Sequence, residues 1–312
     1  MQIVSYDKQY QEQVLKLWNQ TMVHDYLSEE NFYKKIILDE NFDPRYCAIA
    51  LEADEVTGFI WSVKRKVPYG DLGLEPNKGW IVGLCVAEEQ QSKGVGTGLL
   101  NHVTTIMAEE HVTKIIVGAY APNYLFPGVD TESYPNAAAF FEKNQFTQYG
   151  QAVSMERSLL RYHQTDAYKK LKHRVQQEGY QLTPFDFTDT EDLSAFLDES
   201  FPGDWALNVK QAVLSRRAEE TVLVLRDATN EVVGYAQREI DGKPSRFGPF
   251  GVKPTLQGKG LGAYLFNEML QDMVRRGLTH TYFLWTGGNA QRFYEMNGMQ
   301  VYRSYSLMLK EL

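Results

Sequence analysis

Gln91-Ser92-Lys93-Gly94-Val95-Gly96 occurs a second time as Gln257-Gly258-Lys259-Gly260-Leu261-Gly262. Each copy follows an apolar strand-like run, Trp80 to Val86 and Phe247 to Val252, and each opens a helical pattern. A glycine-rich turn between strand and helix leaves backbone N–H groups unblocked by side chains. At the positive end of the helix dipole those groups form a seat for phosphate oxygens. The chain therefore reads as two phosphate-binding units.

Outward from the turns the repeat continues. Val86 and Val252, like Gln91 and Gln257, are 166 residues apart, whereas Asn136 and Asn289, like Phe140 and Phe293, are 153 apart. A longer loop in the first half, Tyr120 to Pro135, accounts for the difference. Before each turn lies a strand pair that reads as a hairpin: Cys47 to Leu51 with Val56 to Val63, and Thr221 to Leu225 with Val232 to Gln237. Ser28 reads as the cap of a helix carrying Phe32, Ile36 and Leu38, and Thr188 with Glu191 has capping-box spacing. Residues 151–158 close the first half as a strand and Val301 to Leu309 close the second. The boundaries follow as 1–159, a charged helical connector 160–179, and 180–312. At 312 residues, two domains also fit the length.

Composition narrows the function. The net charge is −8 and no basic stripe stands out, which argues against a nucleic-acid partner and is compatible with an amine substrate. No apolar run reaches the roughly 18 residues of a membrane span, and the N-terminus lacks a signal-peptide pattern, so a cytoplasmic protein off the membrane is expected. Cys47 and Cys85 lie in apolar runs and read as buried thiols of a reducing compartment. The six histidines show no metal-ligand spacing, and no metal is expected.

Three phosphate ligands compete for the turns. Gly94-Val95-Gly96-Thr97-Gly98 misses the dinucleotide spacing G-x-G-x-x-G, and a Walker A loop is absent from both halves. The third pattern, Q-x-x-G-x-G after a strand, occurs twice, each copy followed by an Asn-headed helix, NAAAFFEKNQF and NAQRFYEMNGM. Here the sequence resembles the GCN5-related N-acetyltransferase (GNAT) superfamily in tandem, over almost the whole chain except the connector. The resemblance implies an α/β fold of two tandem domains, each a mixed, mostly antiparallel sheet flanked by helices. It also implies acetyl-CoA as co-substrate and a small-molecule amine as acceptor.

By the same resemblance, Gln91 and Gln257 head the turns. The diphosphate of acetyl-CoA would sit on the amides of Lys93, Gly94, Val95, Gly96 and Thr97, or of Lys259, Gly260, Leu261, Gly262 and Ala263. Its acetyl end would lie by Leu84, Cys85 and Val86, or by Phe250, Gly251 and Val252. Asn136 and Asn289 begin the helices that follow. The family commonly places on that helix a tyrosine that protonates the CoA sulfur. In the second half this is Tyr294; in the first the aligned residue is Phe141, which cannot donate a proton. The C-terminal half is therefore the favoured catalytic one, acting by direct transfer in a ternary complex. Two alternatives stand beside it: catalysis by the N-terminal half or by both, with Tyr120, Tyr124 or Asp130 of the long loop serving the site, and a CoA-binding scaffold without turnover. The general base has no firm candidate; Glu239 and Asp241 read as candidates for it or, with more weight, as solvated turn acids. Substrate choice falls to the loops 120–135 and 200–215.

Overall fold

The structure is a computed structural model that describes residues 1–201 and 203–312. Packing divides the chain into two units: residues 1–69, 73–153 and 303–312, and residues 70–72 and 154–302.

The first unit contains β1 (Gln2–Ser5), α1 (Gln11–Thr21), α2 (Glu29–Phe32), β2 (Cys47–Glu52), β3 (Glu55–Val63), β4 (Lys78–Val86), α3 (Val95–Glu109), β5 (Lys114–Val117), β6 (Val129–Asp130), α4 (Pro135–Lys143) and the start of β7 (Thr147–Ser158). The β1–β4 ladder is antiparallel and β4–β5 is parallel. Strand alternation sorts the two faces. Cys47, Ile49, Leu51, Phe59 and Trp61 join Trp18 and Phe32 on one side. Ala48, Ala50 and Ile60 join Leu99, Val103 and Met107 of α3 on the other. As expected, Ser28 caps α2, its hydroxyl accepting from Asn31 N at 3.1 Å. Leu38, expected on that helix's apolar face, is exposed.

The second unit contains α5 (Asp166–Gln177), β8 (Gln181–Pro184), α6 (Thr190–Ser200), α7 (Trp205–Leu214), α8 (Ala218–Thr221), β9 (Val222–Arg226), β10 (Val232–Arg238), β11 (Phe247–Val252), α9 (Leu261–Arg275), β12 (His280–Thr286) and α10 (Gly288–Met296). Strands β8 to β11 form an antiparallel sheet in the order β11-β10-β9-β8. Leu193, Phe196, Val209, Val224 and Tyr235 fill one face, while α9 contributes Leu265, Phe266, Met269 and Met273.

The structure departs from the sequence reading, or adds to it, in four places. The last strand, β13 (Gln300–Glu311), does not simply close the second half. Its residues from Arg303 onward belong to the first unit, pairing with β5 (Leu309↔Ile116) and β6 (Tyr305↔Asp130). The charged connector at 160–179 holds the helix α5, which packs on α9: Glu268 accepts from Tyr168 Oη at 2.7 Å and pairs with Lys172 at 2.8 Å. The capping box uses Asp186 and Asp189 in place of Thr188 and Glu191. Residues 205–214, read as loop, form α7.

Candidate active site

The two glycine turns share a backbone. A 3-10 turn (Glu88–Gln90, Pro254–Leu256) leads to an extended glutamine, Gln91 at φ −64° and Gln257 at φ −62°. Positive φ follows twice in each copy, at Ser92 (61°) and Gly94 (88°), and at Gly258 (81°) and Gly260 (84°). Only glycine takes such angles without steric cost, which is why Gly94 and Gly260 are the N-caps of α3 and α9. The first closing bonds run from Gly98 N to Gly94 O (2.9 Å) and from Tyr264 N to Gly260 O (3.0 Å). The N–H groups of Val95, Gly96 and Thr97, and of Leu261, Gly262 and Ala263, precede them and are the orphan donors of a helix start. They can seat an anion. Lys93 and Lys259 are exposed on the turns, and Gln91 donates to Val86 O at 3.2 Å.

Beside each turn the sheet opens. The β4–β5 register runs from Lys78↔Lys114 to Ile81↔Val117, but β4 continues to Val86, bonded there to Gly58 of β3. The β5-facing edge of Val82, Gly83, Leu84, Cys85 and Val86 therefore has no strand partner among the described residues. In the second unit the opening starts earlier: one parallel bridge, Arg246↔Tyr282, precedes β11. Among the described residues, Phe250, Gly251 and Val252 pair with β10 alone, which leaves their other edge without a strand partner. A free strand edge of this kind can accept an extended amide-bearing chain as an added strand.

The helices that follow carry the expected aromatic pairs. Phe140 lies against Gly96 and Phe293 against Gly262, while Asn136 and Asn289 are exposed near the helix starts. Phe141 is buried, edge-on to Phe140 (5.3 Å) and Phe146 (5.2 Å). Tyr294 is ringed by Phe247, Phe250, Phe266, Phe283 and Phe293 at 4.4–6.2 Å. Burial pushes its phenol well above the ordinary value, so it stays protonated across the physiological range.

Other candidates are engaged elsewhere. Tyr120 is buried, its hydroxyl donating to Asp39 (3.0 Å) and accepting from Asn41 (2.8 Å). Asp130 is paired with Arg303 at 2.6 Å and caps the chain at Glu132 and Ser133. The Tyr124 hydroxyl is buried. Glu239 accepts from Arg217 and Arg238, and Asp241 from Arg246. Burial pushes the Cys47 and Cys85 thiols up to about 12, which leaves neither poised as a nucleophile. Of the loop 200–215, residue 202 lies outside the described residues.

Two features were missed in the sequence. Helix α5 leans on the second turn: Arg174 Nη2 donates to Lys259 O at 2.9 Å, and Leu171 lies over Gly260. Nothing in a charged amphipathic stretch signals that contact. The second is a cavity of about 400 Å3 at the C-terminal end of α3, away from the glycine turn, lined by Asp43, Arg45, Tyr46, Lys64, Arg65, Lys66 and Glu110. Its carboxylates are already paired with its cations, Glu110 with Arg45 and Lys64 and Asp43 with Arg45 and Lys66.

The acetyltransferase (GNAT) family model matches residues 11–124 and 185–299. The chain belongs to that family, and carries it in tandem. Solved structures agree on the fold. A fungal multi-domain GH3 beta-N-acetylglucosaminidase with a GCN5-related glucosamine N-acetyltransferase region aligns with 99% of the chain at 20% identity and TM-score 0.81, the chain spanning 38% of that protein. A GCN5-related N-acetyltransferase from Sphaerobacter thermophilus aligns with 99% at 16% identity and TM-score 0.72, 95% of its own length being covered. A tandem GNAT protein from the clavulanic acid biosynthesis pathway aligns with 99% at 13% identity and TM-score 0.62, with 98% of its length covered. No curated protein matches the chain. Among the described residues, no helix is long and apolar enough to cross a membrane, and no cluster of residues suits a metal ion.

Proposed function

We propose that the chain transfers the acetyl group of acetyl-CoA to the amine of a small molecule, with both substrates bound at once, and that the second unit carries the reaction. The observation behind this reading is Tyr294, held at the free edge of β11 where the first unit has Phe141. The amides of Lys259 to Ala263 would hold the diphosphate, and the edge Phe250–Val252 would take the pantetheine arm. A backbone N–H on that edge would polarise the thioester carbonyl. Tyr294, kept protonated by burial, would donate to the departing thiolate. Acetyl-CoA supplies the activated acyl group. Direct transfer fits two cysteines whose thiols burial keeps protonated.

The fit rests on the paired positive-φ residues and on strand edges with free N–H and C=O groups. In this reading the domains run 1–159 and 180–312 in sequence, and the first supports the fold or binds CoA unproductively. One observation favours a second reading, with the coenzyme on the first unit: a Cβ placed on Gly94 would meet nothing within 4 Å, whereas one on Gly260 would meet Leu171 at 2.8 Å.

Thiol release with a panel of amines, glucosamine among them, tests the assignment. Tyr294→Phe is expected to lower kcat by about 10²–10⁴-fold, the range for loss of a general acid, with acetyl-CoA affinity unchanged. Equal rates in wild type and variant would remove Tyr294 from the mechanism and favour the first unit.

A further inference from the structure

On β10, Tyr235 and Gln237 stand two residues apart and so face the same side of the sheet. Both are buried, at 0% and 1% exposure. The Gln237 amide nitrogen donates to Asn208 O at 3.0 Å. Among the described residues its Oε1 has no hydrogen-bond partner, and neither has the Tyr235 hydroxyl. Buried polar atoms are nearly always paired, because a group taken from water without a replacement partner destabilises the fold. Two such oxygens on one strand face call for an explanation.

Their neighbours supply one. Tyr235 is the register partner of Gly251, and Gly234 of Val252. Tyr235 therefore lies across from the stretch of β11 proposed above to take the acetyl group, and Gln237 follows it on the same face, just beyond Ala236, the partner of Phe250. Tyr294 and Asp204 are both close enough to act electrostatically on the Tyr235 phenol, which burial already pushes well up. Beside Gly251 the face is aromatic. Phe201 covers Gly251, where an added Cβ would collide with its ring. It stacks on Trp205 at 4.5 Å, and Trp205 lies 5.9 Å from Tyr235.

We propose that Tyr235 and Gln237 recognise the acceptor of the second unit, and that this acceptor is an amine bearing hydroxyl groups, an amino alcohol or amino sugar. The inference rests on the second unit being the catalytic one. Gln237 Oε1 can only accept and so asks for an O–H or N–H, while the Tyr235 hydroxyl can donate or accept. With its amine turned to the thioester, a hydroxylated amine satisfies both through its hydroxyl groups, whereas a bare alkylamine in that pose leaves both unpaired. Sites built around buried polar groups reject analogues that lack the matching group far more strongly than apolar pockets reject a missing methylene. Phe201, which keeps some exposure, is the side chain such an acceptor displaces from Gly251.

The experiment compares kcat/KM for matched amines, ethanolamine against ethylamine and glucosamine against cyclohexylamine, in wild type, Tyr235→Phe and Tyr294→Phe. Wild type is expected to favour the hydroxylated member by 10²-fold or more. In Tyr235→Phe that ratio falls at least tenfold, while the unfolding midpoint stays level or rises, since an unpaired buried hydroxyl has been removed. A panel in which hydroxylated amines are no better, or are not acetylated at all, overturns the inference. So does a Tyr235→Phe chain with an unchanged ratio or a lowered midpoint. If Tyr294→Phe removes turnover and Tyr235→Phe leaves the ratio intact, the acceptor inference alone fails. If Tyr294→Phe is as active as wild type, the choice of unit fails with it.

Discussion

At Gly94 a Cβ would stand in open space, while at Gly260 the same backbone angle is overhung by Leu171 and Arg174 of α5. The α4 position beside the first turn holds a buried phenylalanine, and the α10 position beside the second holds a tyrosine enclosed by aromatic rings. Backbone conformation is thus common to the two units, and surroundings are not. A glycine motif reports on chain angles and orphan amides; it is silent about what leans on them. The first unit offers the more open turn and the second offers the tyrosine proposed as proton donor, so the two halves divide features that the proposed reaction needs together.

The units differ most in how they are completed. The first depends on Arg303, brought from the far end of the chain, which pairs with Asp25 (2.6 Å) and Asp130 (2.6 Å). Asp25 also accepts from Tyr134 at 2.7 Å. With Asp130 only 2% and Asp25 12% exposed in their side chains, Arg303→Met strands two carboxylates. It is expected to destabilise the first unit by about 3–5 kcal/mol. Hydrogen exchange should show lost protection in 120–134 with α9 little changed. Equal loss in both units would mean that they unfold as one body and would blunt the contrast.

A smaller effect tests the turns themselves. Gly94→Ala places a Cβ at φ 88° with free space and should cost about 1–2 kcal/mol from the left-handed angle alone. Gly260→Ala adds a collision with Leu171 at 2.8 Å and should cost about 1–3 kcal/mol more. Urea unfolding of the two variants measures the difference. Equal losses would show that α5 yields freely and does not shape the second turn.

Acid offers the mildest separation. In the first unit Glu110 is held at about 2 by hydrogen bonds from Tyr46, which outweigh burial, and from Lys64 and Arg45. Burial pushes Asp43 up, but Arg45 and Lys66 more than offset it and bring it to about 2. Both folded values lie below the ordinary carboxylate range near 4. Their contribution is therefore present above about pH 4 and is lost as the pH falls toward 2. The lowered acids of the second unit, Asp186 and Asp227, lie on exposed or nearly exposed turns. Exchange followed from pH 5 to 2.5 should show the first unit opening earlier; simultaneous opening would contradict this.

Much of the fold was legible because its signals are local. Alternation at Cys47–Leu51, the Ser28 cap and the two glycine turns each depend on near neighbours in sequence. The fate of β13 was not legible, since its alternation of Tyr305, Leu307 and Leu309 reads the same whichever sheet it joins. Nor was the burial of Tyr120, a loop residue whose partners Asp39 and Asn41 lie about eighty positions away. At the site, the turns and the Tyr294/Phe141 contrast could be read from spacing. The orphaned oxygens of Tyr235 and Gln237 could not, because an unpaired atom is visible only once every neighbour is placed.

A crystal structure with acetyl-CoA tests the central claim most directly. The diphosphate is expected on the amides of Leu261 to Ala263, the pantetheine along β11 and the sulfur within hydrogen-bond reach of Tyr294 Oη. A coenzyme held solely at Lys93 to Thr97, its sulfur beside Phe141, would contradict it.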